Sequence, residues 1–297
     1  MKILVTGANG LLGQKLCLLL DKDNEVDLVA TTRGKLSFVL EKGKFVVLDV
    51  TNPQQVEEVI STEKPDVIIH TAAMTNVDQC EIERQACWLN NVNAVEFLVS
   101  ASQKIDAHFI HVSTDFIFDG THGPLDELAT PNPVSYYGES KLAGEQAVLK
   151  SKLKWAILRT VLVYGITSDM SRSNIVLWVK KSLEEGKKIN VVDDQWRTPT
   201  LAEDLAMGCA LAAKQKAIGI YNISGEEMMT PYDIAIQTAD FFQLNKSLIH
   251  QTDSTQFKQT AKRPPKTGFI IKKAKTQLGY EPHSFKGGLE VLATQMT

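Results

Sequence analysis

The stretch TGANGLLG, residues 6–13, joins an apolar run at residues 3–6 to a helix-period segment at residues 11–20. A Gly-rich turn between a strand and a helix is the context in which a dinucleotide pyrophosphate binds, because backbone N–H groups at the helix N-terminus attract its charge. An isolated Gly triplet is weak evidence, but this placement favours a dinucleotide-binding site. The residues predicted to contact the dinucleotide here are Gly7, Asn9, Gly10, Leu11, Leu12 and Gly13.

Further along the chain, short Val/Ile/Leu runs alternate with helix-period segments. Strands are predicted at Ile3–Thr6, Asp27–Thr31, Phe45–Leu48, Val67–His70, His108–Val112 and Trp155–Val163. These runs are continuously apolar, which is typical of a parallel sheet covered on both faces. The pattern predicts an α/β fold: a doubly wound parallel sheet of the NAD(P)-binding Rossmann type with a smaller C-terminal substrate lobe. We expect residues 1–165 to form the Rossmann domain, segments near 187–223 to return to it, and residues 166–297 to form mainly the substrate lobe.

Composition excludes several classes of protein. No apolar run approaches the roughly 18 residues that span a bilayer, and the N-terminal run does not resemble a signal peptide. None of the four cysteines forms a CxxC pair or zinc-ligand spacing with the histidines, which favours free thiols in a reducing compartment and no metal site. We therefore expect a cytoplasmic protein that does not bind membranes. The cysteines are Cys17, Cys80, Cys87 and Cys209.

Charge is unevenly distributed. Residues 241–297 contain nine Lys and Arg against three Asp and Glu, in a chain whose formal net charge is -3. The basic segment is either a solvated surface or the mouth of a site that attracts an anionic substrate. Nucleic acid is not an expected partner, because dense Arg runs interleaved with aromatic residues are absent from the sequence.

The end of the second strand indicates which dinucleotide is bound. A carboxylate is expected there when the ribose carries a free 2′-OH, but residues 30–35 read ATTRGK. Arg33 presents a fork of donors suited to a 2′-phosphate, which favours NADP(H) and leaves NAD(H) as the alternative. Otherwise Arg33 is a surface residue. Asp49 and Val50 follow the third strand, where an acid can bind the adenine amino group; the alternative is that Asp49 caps the next helix.

A candidate catalytic pair lies in YGESK, residues 137–141. Tyr137 and Lys141 are four residues apart and share one face of a helix. A cationic neighbour favours phenolate, so we expect Lys141 to lower the pKa of Tyr137 toward neutrality. This spacing alone is most often a surface pair, but STD, residues 113–115, adds hydroxyls at the carboxyl end of the fifth strand, where ligands bind.

Taken together, these motifs resemble the extended short-chain dehydrogenase/reductases, and among them the dTDP-4-dehydrorhamnose reductase branch. The similarity runs nearly from end to end. It is carried by TGANGLLG (6–13), HTAAMTNVD (70–78), NV (91–92), STDFIFDG (113–120), YGESKLAGE (137–145), ILRT (157–160), and DQ (194–195) through PT (199–200).

The resemblance implies an NAD(P)-dependent oxidoreductase in which Thr114, Tyr137 and Lys141 form a catalytic triad. Hydride would reach the C4 carbonyl of a nucleotide-linked 4-keto-6-deoxysugar, while Tyr137 protonates the alkoxide and Thr114 hydrogen-bonds it. Lys141 would bind the nicotinamide ribose. The other residues implied to lie along the cofactor are Ala72, Ala73 and Asn91, the last in a proton relay. The nucleotide sugar is the expected partner, and a homodimer is left open.

Several positions depart from the pattern of this branch. RTVL, residues 159–162, stands where the branch has a Trp that contacts substrate, and Arg197 replaces a Gly within DQWRTPT, residues 194–200. These departures affect the identity of the substrate more than the reaction type. Arg197 and Arg263 are either ligands of a diphosphate or ordinary surface charges. The residues predicted to contact substrate are Thr75, Asp115, Trp196, Arg197 and Arg263.

Two other functions stay open. The neighbourhood of Trp196, with SGEEMMT at residues 224–230, resembles the regulatory β subunit of methionine adenosyltransferase, a relative in the same branch. That resemblance implies a non-catalytic, NADP-binding regulatory subunit. The other alternative is a nucleotide-sugar epimerase or dehydratase with bound NAD. The lack of an acid after the second strand and of a Glu pair beside Thr114 disfavours it.

Overall fold

The computed structural model describes residues 1–168, 174–257 and 259–296. Its strands are β1 Lys2–Thr6, β2 Asp27–Thr32, β3 Lys44–Val47, β4 Val67–His70, β5 His108–Thr114, β6 Trp155–Thr160, β7 Val163–Tyr164, β8 Ile189–Val192, β9 Thr200–Leu201, β10 Gly219–Asn222 and β11 Ile249–Thr252. Seven of them form one parallel sheet in the order β10-β6-β5-β4-β1-β2-β3. The predicted doubly wound parallel sheet is therefore confirmed.

Helices cover both faces of this sheet. They are α1 Leu11–Asp21, α2 Pro53–Glu63, α3 Val77–Ile82, α4 Arg84–Trp88, α5 Ala94–Lys104, α6 Tyr136–Leu149, α7 Ile175–Glu184, α8 Ala202–Lys214, α9 Pro231–Phe241, α10 Lys272–Leu278 and α11 Phe285–Gln295. Apolar side chains of α1, α8 and α10 pack on one face, and those of α2, α5 and α6 on the other. Burial on both sides explains why the strands are continuously apolar.

Outside the main sheet, α7, α9 and α11 carry apolar clusters of their own, and we refer to this part of the chain as the C-terminal lobe. Of the segment near 187–223 that is predicted to return to the Rossmann domain, β10 joins the main sheet, whereas β8 pairs in parallel with β11 outside it. None of the described helices combines the length and apolarity needed to cross a membrane.

The strand predicted at Trp155–Val163 is interrupted after Thr160. Leu162 adopts a left-handed backbone conformation with φ 37°, which costs a branched residue on the order of 1–3 kcal/mol. The chain then enters β7, which pairs with β9 instead of continuing the main sheet. This break turns the chain from the sheet into the smaller lobe beside the cleft described next.

Candidate active site

A cleft of about 520 Å³ opens at the carboxyl ends of the parallel strands. It lies where the strand order reverses between β1 and β4, the position at which doubly wound sheets bind ligands. The predicted site residues that line it are Gly7, Asn9, Gly10, Leu11, Leu12, Gly13, Arg33, Val50, Ala72, Ala73, Thr75, Thr114, Asp115, Tyr137 and Lys141. The predicted residues outside this lining are Asp49, Asn91, Trp196, Arg197 and Arg263.

The Gly-rich turn brings backbone directly against the cleft. Gly7 has φ +72°, and a Cβ at this position would lie 2.8 Å from the backbone N and Cα of Ala72. Gly10 precedes α1 in an extended conformation, so the first N–H groups of that helix have no side-chain cap. Glycine at position 7 is therefore needed for close packing against Ala72, and the uncapped N–H groups at the start of α1 fit a dinucleotide pyrophosphate.

Asn9 connects this turn to the loop after β2. Its side-chain amide donates to the Lys35 carbonyl at 2.8 Å and accepts from the Ser37 N–H at 3.0 Å. Arg33 starts this loop, is exposed and lines the cleft. The hydrogen bonds of Asn9 therefore hold the Arg33 segment beside the Gly-rich turn.

Asp49 forms a local turn. Its carboxylate accepts from the Thr51 N–H at 2.9 Å and from the Thr51 hydroxyl at 2.7 Å. The cap of α2 is Asn52, which accepts from two backbone N–H groups of the first helical turn. The alternative that Asp49 caps this helix is therefore wrong, and its neighbour Val50 lines the cleft instead.

Tyr137 and Lys141 are both buried on α6 and line the cleft together. The Lys141 ammonium donates to the Val112 carbonyl at 2.8 Å. Burial lowers the pKa of Lys141 to about 8, opposed by the charge of Glu145. A group with a pKa near 8 holds or releases a proton within the pH range in which enzymes are assayed.

Burial also dominates at Tyr137 and raises the pKa of its phenol, opposed by the nearby Thr114 hydroxyl. The ring packs in a small apolar cluster with Cys80, Cys87 and Phe116. The prediction that Lys141 brings the pKa of Tyr137 toward neutrality is not met in this structure. The physical reason is that desolvation of the phenol in this cluster outweighs the attraction of a cation engaged by a carbonyl.

The low pKa of Lys141 predicts how the free energy of unfolding changes with pH. Between about pH 8 and about pH 10.4 an unfolded lysine binds more protons than folded Lys141, so the free energy of unfolding should rise with pH in this range. Relative to that of Lys141→Met, the free energy of unfolding of the wild type should rise by up to about 1.4 kcal/mol per pH unit. Urea unfolding at several pH values measures the difference, with exposed Lys150→Met as matched control. Curves for wild type and Lys141→Met that stay parallel across this range would contradict the prediction.

Asn91 lies behind the wall of the cleft, in a π-helical turn at Leu89–Asn93. Its carbonyl accepts from the Met74 N–H at 2.8 Å, and its amide donates to the Met74 carbonyl and to the Ser140 hydroxyl, both at 3.0 Å. Asn91 therefore joins the segment after β4 to α6, which carries Tyr137 and Lys141. Its neighbour Asn90 lines the cleft.

The two arginines predicted to face a diphosphate are engaged by the protein itself. Arg197 is 4% exposed and donates to the carbonyls of Pro264 at 2.6 Å, Trp196 at 2.8 Å and Pro265 at 3.3 Å. Arg263 forms a bidentate pair with Asp78, with contacts of 2.6 and 3.2 Å. This geometry differs from the predicted diphosphate contact, because neither guanidinium lines the cleft. Trp196 is 39% exposed and also lies outside the lining.

Sequence reasoning missed several residues of the cleft. They include Thr32, Thr71, Asn90, Ser113, Phe116, Thr160, Leu162, Asn174 and Leu205. Ser113 and Phe116 belong to the STDF motif and could have been included on that ground. Asn174 caps α7 and donates to the Gly165 carbonyl at 2.6 Å, and no motif marks it. Within the three described ranges, no cluster of His, Cys, Asp or Glu is arranged to hold a metal ion.

A comparison with known protein families matches the whole chain to one family. The family model described as RmlD substrate binding domain matches residues 1–297. The chain is 30% identical over 301 residues to dTDP-4-dehydrorhamnose reductase of Aggregatibacter actinomycetemcomitans, covering 97% of each protein. It is 34% identical over 251 residues to methionine adenosyltransferase 2 subunit beta of Xenopus laevis, covering 83% of this chain and 73% of the relative.

Solved structures give the same picture. A dTDP-4-dehydrorhamnose reductase of Clostridium acetobutylicum superposes with a TM-score of 0.88 at 28% identity, covering 100% of this chain and 99% of that one. The Bacillus anthracis reductase, in complex with NADP, gives 0.84 at 28% identity, covering 99% of both chains. UDP-glucuronic acid 4-epimerase of Bacillus cereus, in complex with UDP-glucuronic acid and NAD, gives 0.85 at 26% identity, covering 100% of both.

Proposed function

This chain belongs to the RmlD substrate binding domain family, and from that premise we propose that it is an NADP(H)-preferring reductase of a nucleotide-linked 4-keto-6-deoxysugar. One observation carries the proposal: Thr114, Tyr137 and Lys141 line the same cleft as the Gly-rich turn. A reductase needs a proton donor beside the carbonyl that it reduces, and a site for the dinucleotide next to that donor. The full-length similarity to dTDP-4-dehydrorhamnose reductases supports this assignment.

In the proposed reaction the protein orients the ketone and supplies the proton. The Gly-rich turn and Ala72 would hold the dinucleotide, which supplies the hydride when bound. Tyr137 donates its phenolic proton to the oxygen of the reduced carbonyl, and burial keeps that proton in place until the oxygen becomes basic. Lys141, with its pKa lowered to about 8, then favours return of a proton to the phenolate.

Arg33 is the proposed ligand of the 2′-phosphate that distinguishes NADPH from NADH. Its exposed guanidinium lies at the cleft beside the Gly-rich turn. A hydrogen bond to a charged group contributes about 1.5–3 kcal/mol, so we expect Arg33→Ala to weaken NADPH binding roughly tenfold to hundredfold while NADH binding changes little. Titration calorimetry with both dinucleotides measures the ratio, with exposed Arg84→Ala as control. An unchanged affinity ratio in Arg33→Ala would show that the 2′-phosphate lies elsewhere.

The direct test of the function follows NADPH absorbance with dTDP-4-keto-6-deoxysugars. Turnover supports the reductase. The alternative is an NADP-binding regulatory subunit, which the similarity to methionine adenosyltransferase 2 subunit beta favours. Tight NADPH binding without turnover on any nucleotide-linked keto sugar would support that alternative. Interconversion of UDP-sugars with catalytic NAD would instead support an epimerase, the activity named for the Bacillus cereus neighbour.

A further inference from the structure

The Asp115 carboxylate connects the proposed catalytic residues to the C-terminal lobe. Its Oδ1 accepts from the Thr114 hydroxyl at 3.1 Å, and its Oδ2 accepts from the Thr267 hydroxyl at 2.5 Å. The Arg197 Nε lies 3.5 Å from the same Oδ2. Asp115 is 2% exposed, so these contacts replace water almost completely. The carboxylate therefore takes one hydrogen bond from the Rossmann domain, and one hydrogen bond and one ion pair from segments that follow β8.

Arg197 is held rigidly against this carboxylate. Three backbone carbonyls, of Trp196, Pro264 and Pro265, accept from its guanidinium. The guanidinium carbon also lies 5.8 Å from the centre of the Phe116 ring. A buried cation is costly without an anionic partner, and among the described residues Asp115 forms its ion pair. Arg197 is therefore fixed by carbonyls on one side and directed at Asp115 on the other.

Thr114 has one hydroxyl proton, and its direction matters for the reaction. Donation to Asp115 leaves the Thr114 oxygen to accept from the Phe116 N–H at 3.2 Å and to face Tyr137. An ionised carboxylate only accepts hydrogen bonds, whereas a protonated one also donates. Protonation of Asp115 would place a second proton between the two groups and free the Thr114 hydroxyl to rotate. The charge of Asp115 thus determines how Thr114 is presented to Tyr137.

We propose that Arg197 and Thr267 are positioning residues that hold Asp115 as an anion and thereby orient the Thr114 hydroxyl beside Tyr137. The inference rests on the proposed reductase function. It gives the substitution of Gly by Arg at position 197 a role inside the protein, and it makes the C-terminal lobe part of the catalytic arrangement.

The charge of Asp115 depends on opposing effects. Burial is the largest of them and raises the pKa of Asp115 above its ordinary value, and Arg197, Thr267 and Thr114 limit that rise. Tyr137 on α6 is a further titratable group that interacts with the carboxylate, and Arg263 acts on Arg197 from the following segment. Loss of the Arg197 ion pair or of the Thr267 hydrogen bond leaves the effect of burial less opposed. The ionisation of Asp115 then shifts to higher pH.

The mildest test is Thr267→Val, which removes one donor and preserves the shape of the side chain. A hydrogen bond to a charged group changes an equilibrium constant by about tenfold to hundredfold. We therefore expect the ascending limb of the plot of kcat against pH to move about one to two pH units higher. At neutral pH kcat should fall while KM for NADPH stays constant. Arg197→Lys, which keeps the charge, should retain more of the wild-type profile than Arg197→Gln. Thr238→Val, equally buried on α9, is the matched control.

A second measurement does not depend on turnover. Infrared difference spectra should show a protonated-carboxyl band near neutral pH in Thr267→Val and Arg197→Gln, absent from the wild type and lost when Asp115→Asn is added. Normal turnover with unmoved pH profiles and no such band would overturn the inference. A wild type that reduces no keto sugar would overturn the proposed function and with it the positioning role. The protonated-carboxyl band would still show whether Arg197 and Thr267 hold Asp115 as an anion.

Discussion

Tyr137→Phe is expected to lower kcat by about 10²–10⁴-fold, because the phenol is the proposed general acid. The variant removes one hydroxyl and keeps the ring, which packs edge-on against Phe116 with centroids 5.6 Å apart. Dinucleotide affinity and folding should therefore stay close to those of the wild type. Single-turnover NADPH oxidation, together with calorimetric titration of NADPH, separates loss of chemistry from loss of binding.

Tyr136→Phe is the matched control for this variant. Tyr136 is the neighbouring residue on α6, but Ser140, not a lysine, lies four residues after it. Its ring packs near Trp88 and beneath Arg84 rather than against Thr114. We expect near-normal turnover in Tyr136→Phe. Full activity in Tyr137→Phe, or an equal loss in both variants, would rule out Tyr137 as the specific proton donor.

Glu145→Gln is expected to destabilise the fold by about 3–5 kcal/mol, since it leaves a buried arginine without its charge partner. Glu145 accepts from Arg159 through both carboxylate oxygens, at 3.0 and 2.8 Å, and the two side chains are 0% and 3% exposed. This pair fastens α6, which carries Tyr137 and Lys141, to β6 in the sheet. Urea unfolding monitored by circular dichroism measures the change in the free energy of unfolding.

The control for Glu145→Gln is an exposed ion pair. Glu57 lies 2.7 Å from Lys104, with side chains 45% and 60% exposed, and such pairs contribute about 0–1 kcal/mol. Glu57→Gln should therefore change stability little. If both substitutions cost the same, the buried pair does not hold α6 in place as the structure indicates.

The sheet and the centre of the cleft were predictable from the sequence because their signals are local. Continuous apolar runs mark buried parallel strands, and the resemblance to the reductase branch is confirmed by the family match over residues 1–297. Thr114 ends β5, and Tyr137 is the second residue of α6, which packs beside it. Since the carboxyl ends of parallel strands meet at one edge, residues placed there by local motifs come together in the cleft.

What the sequence did not predict depends on contacts between distant segments. The charge of Arg197 and Arg263 suggested a diphosphate, but the partners they find are Asp115, Asp78 and backbone carbonyls of other segments. The break at Leu162 likewise has no local signal. For Tyr137, helical spacing correctly places Lys141 on the same helix, but the pKa of the phenol depends on how much of it is buried.

The proposed function requires that a dinucleotide bound in this cleft would supply hydride to a ketone carbon of a nucleotide sugar. The most direct measurement supplies NADPH deuterated at C4 of the nicotinamide, with a dTDP-4-keto-6-deoxysugar as acceptor. The product is then examined by mass spectrometry and NMR. We predict one deuterium at C4 of the sugar, transferred from one face of the nicotinamide. In Tyr137→Phe the rate of this transfer should be about 10²–10⁴-fold lower. Tight binding of NADPH with no transfer of deuterium to any keto sugar would contradict the proposed reductase function.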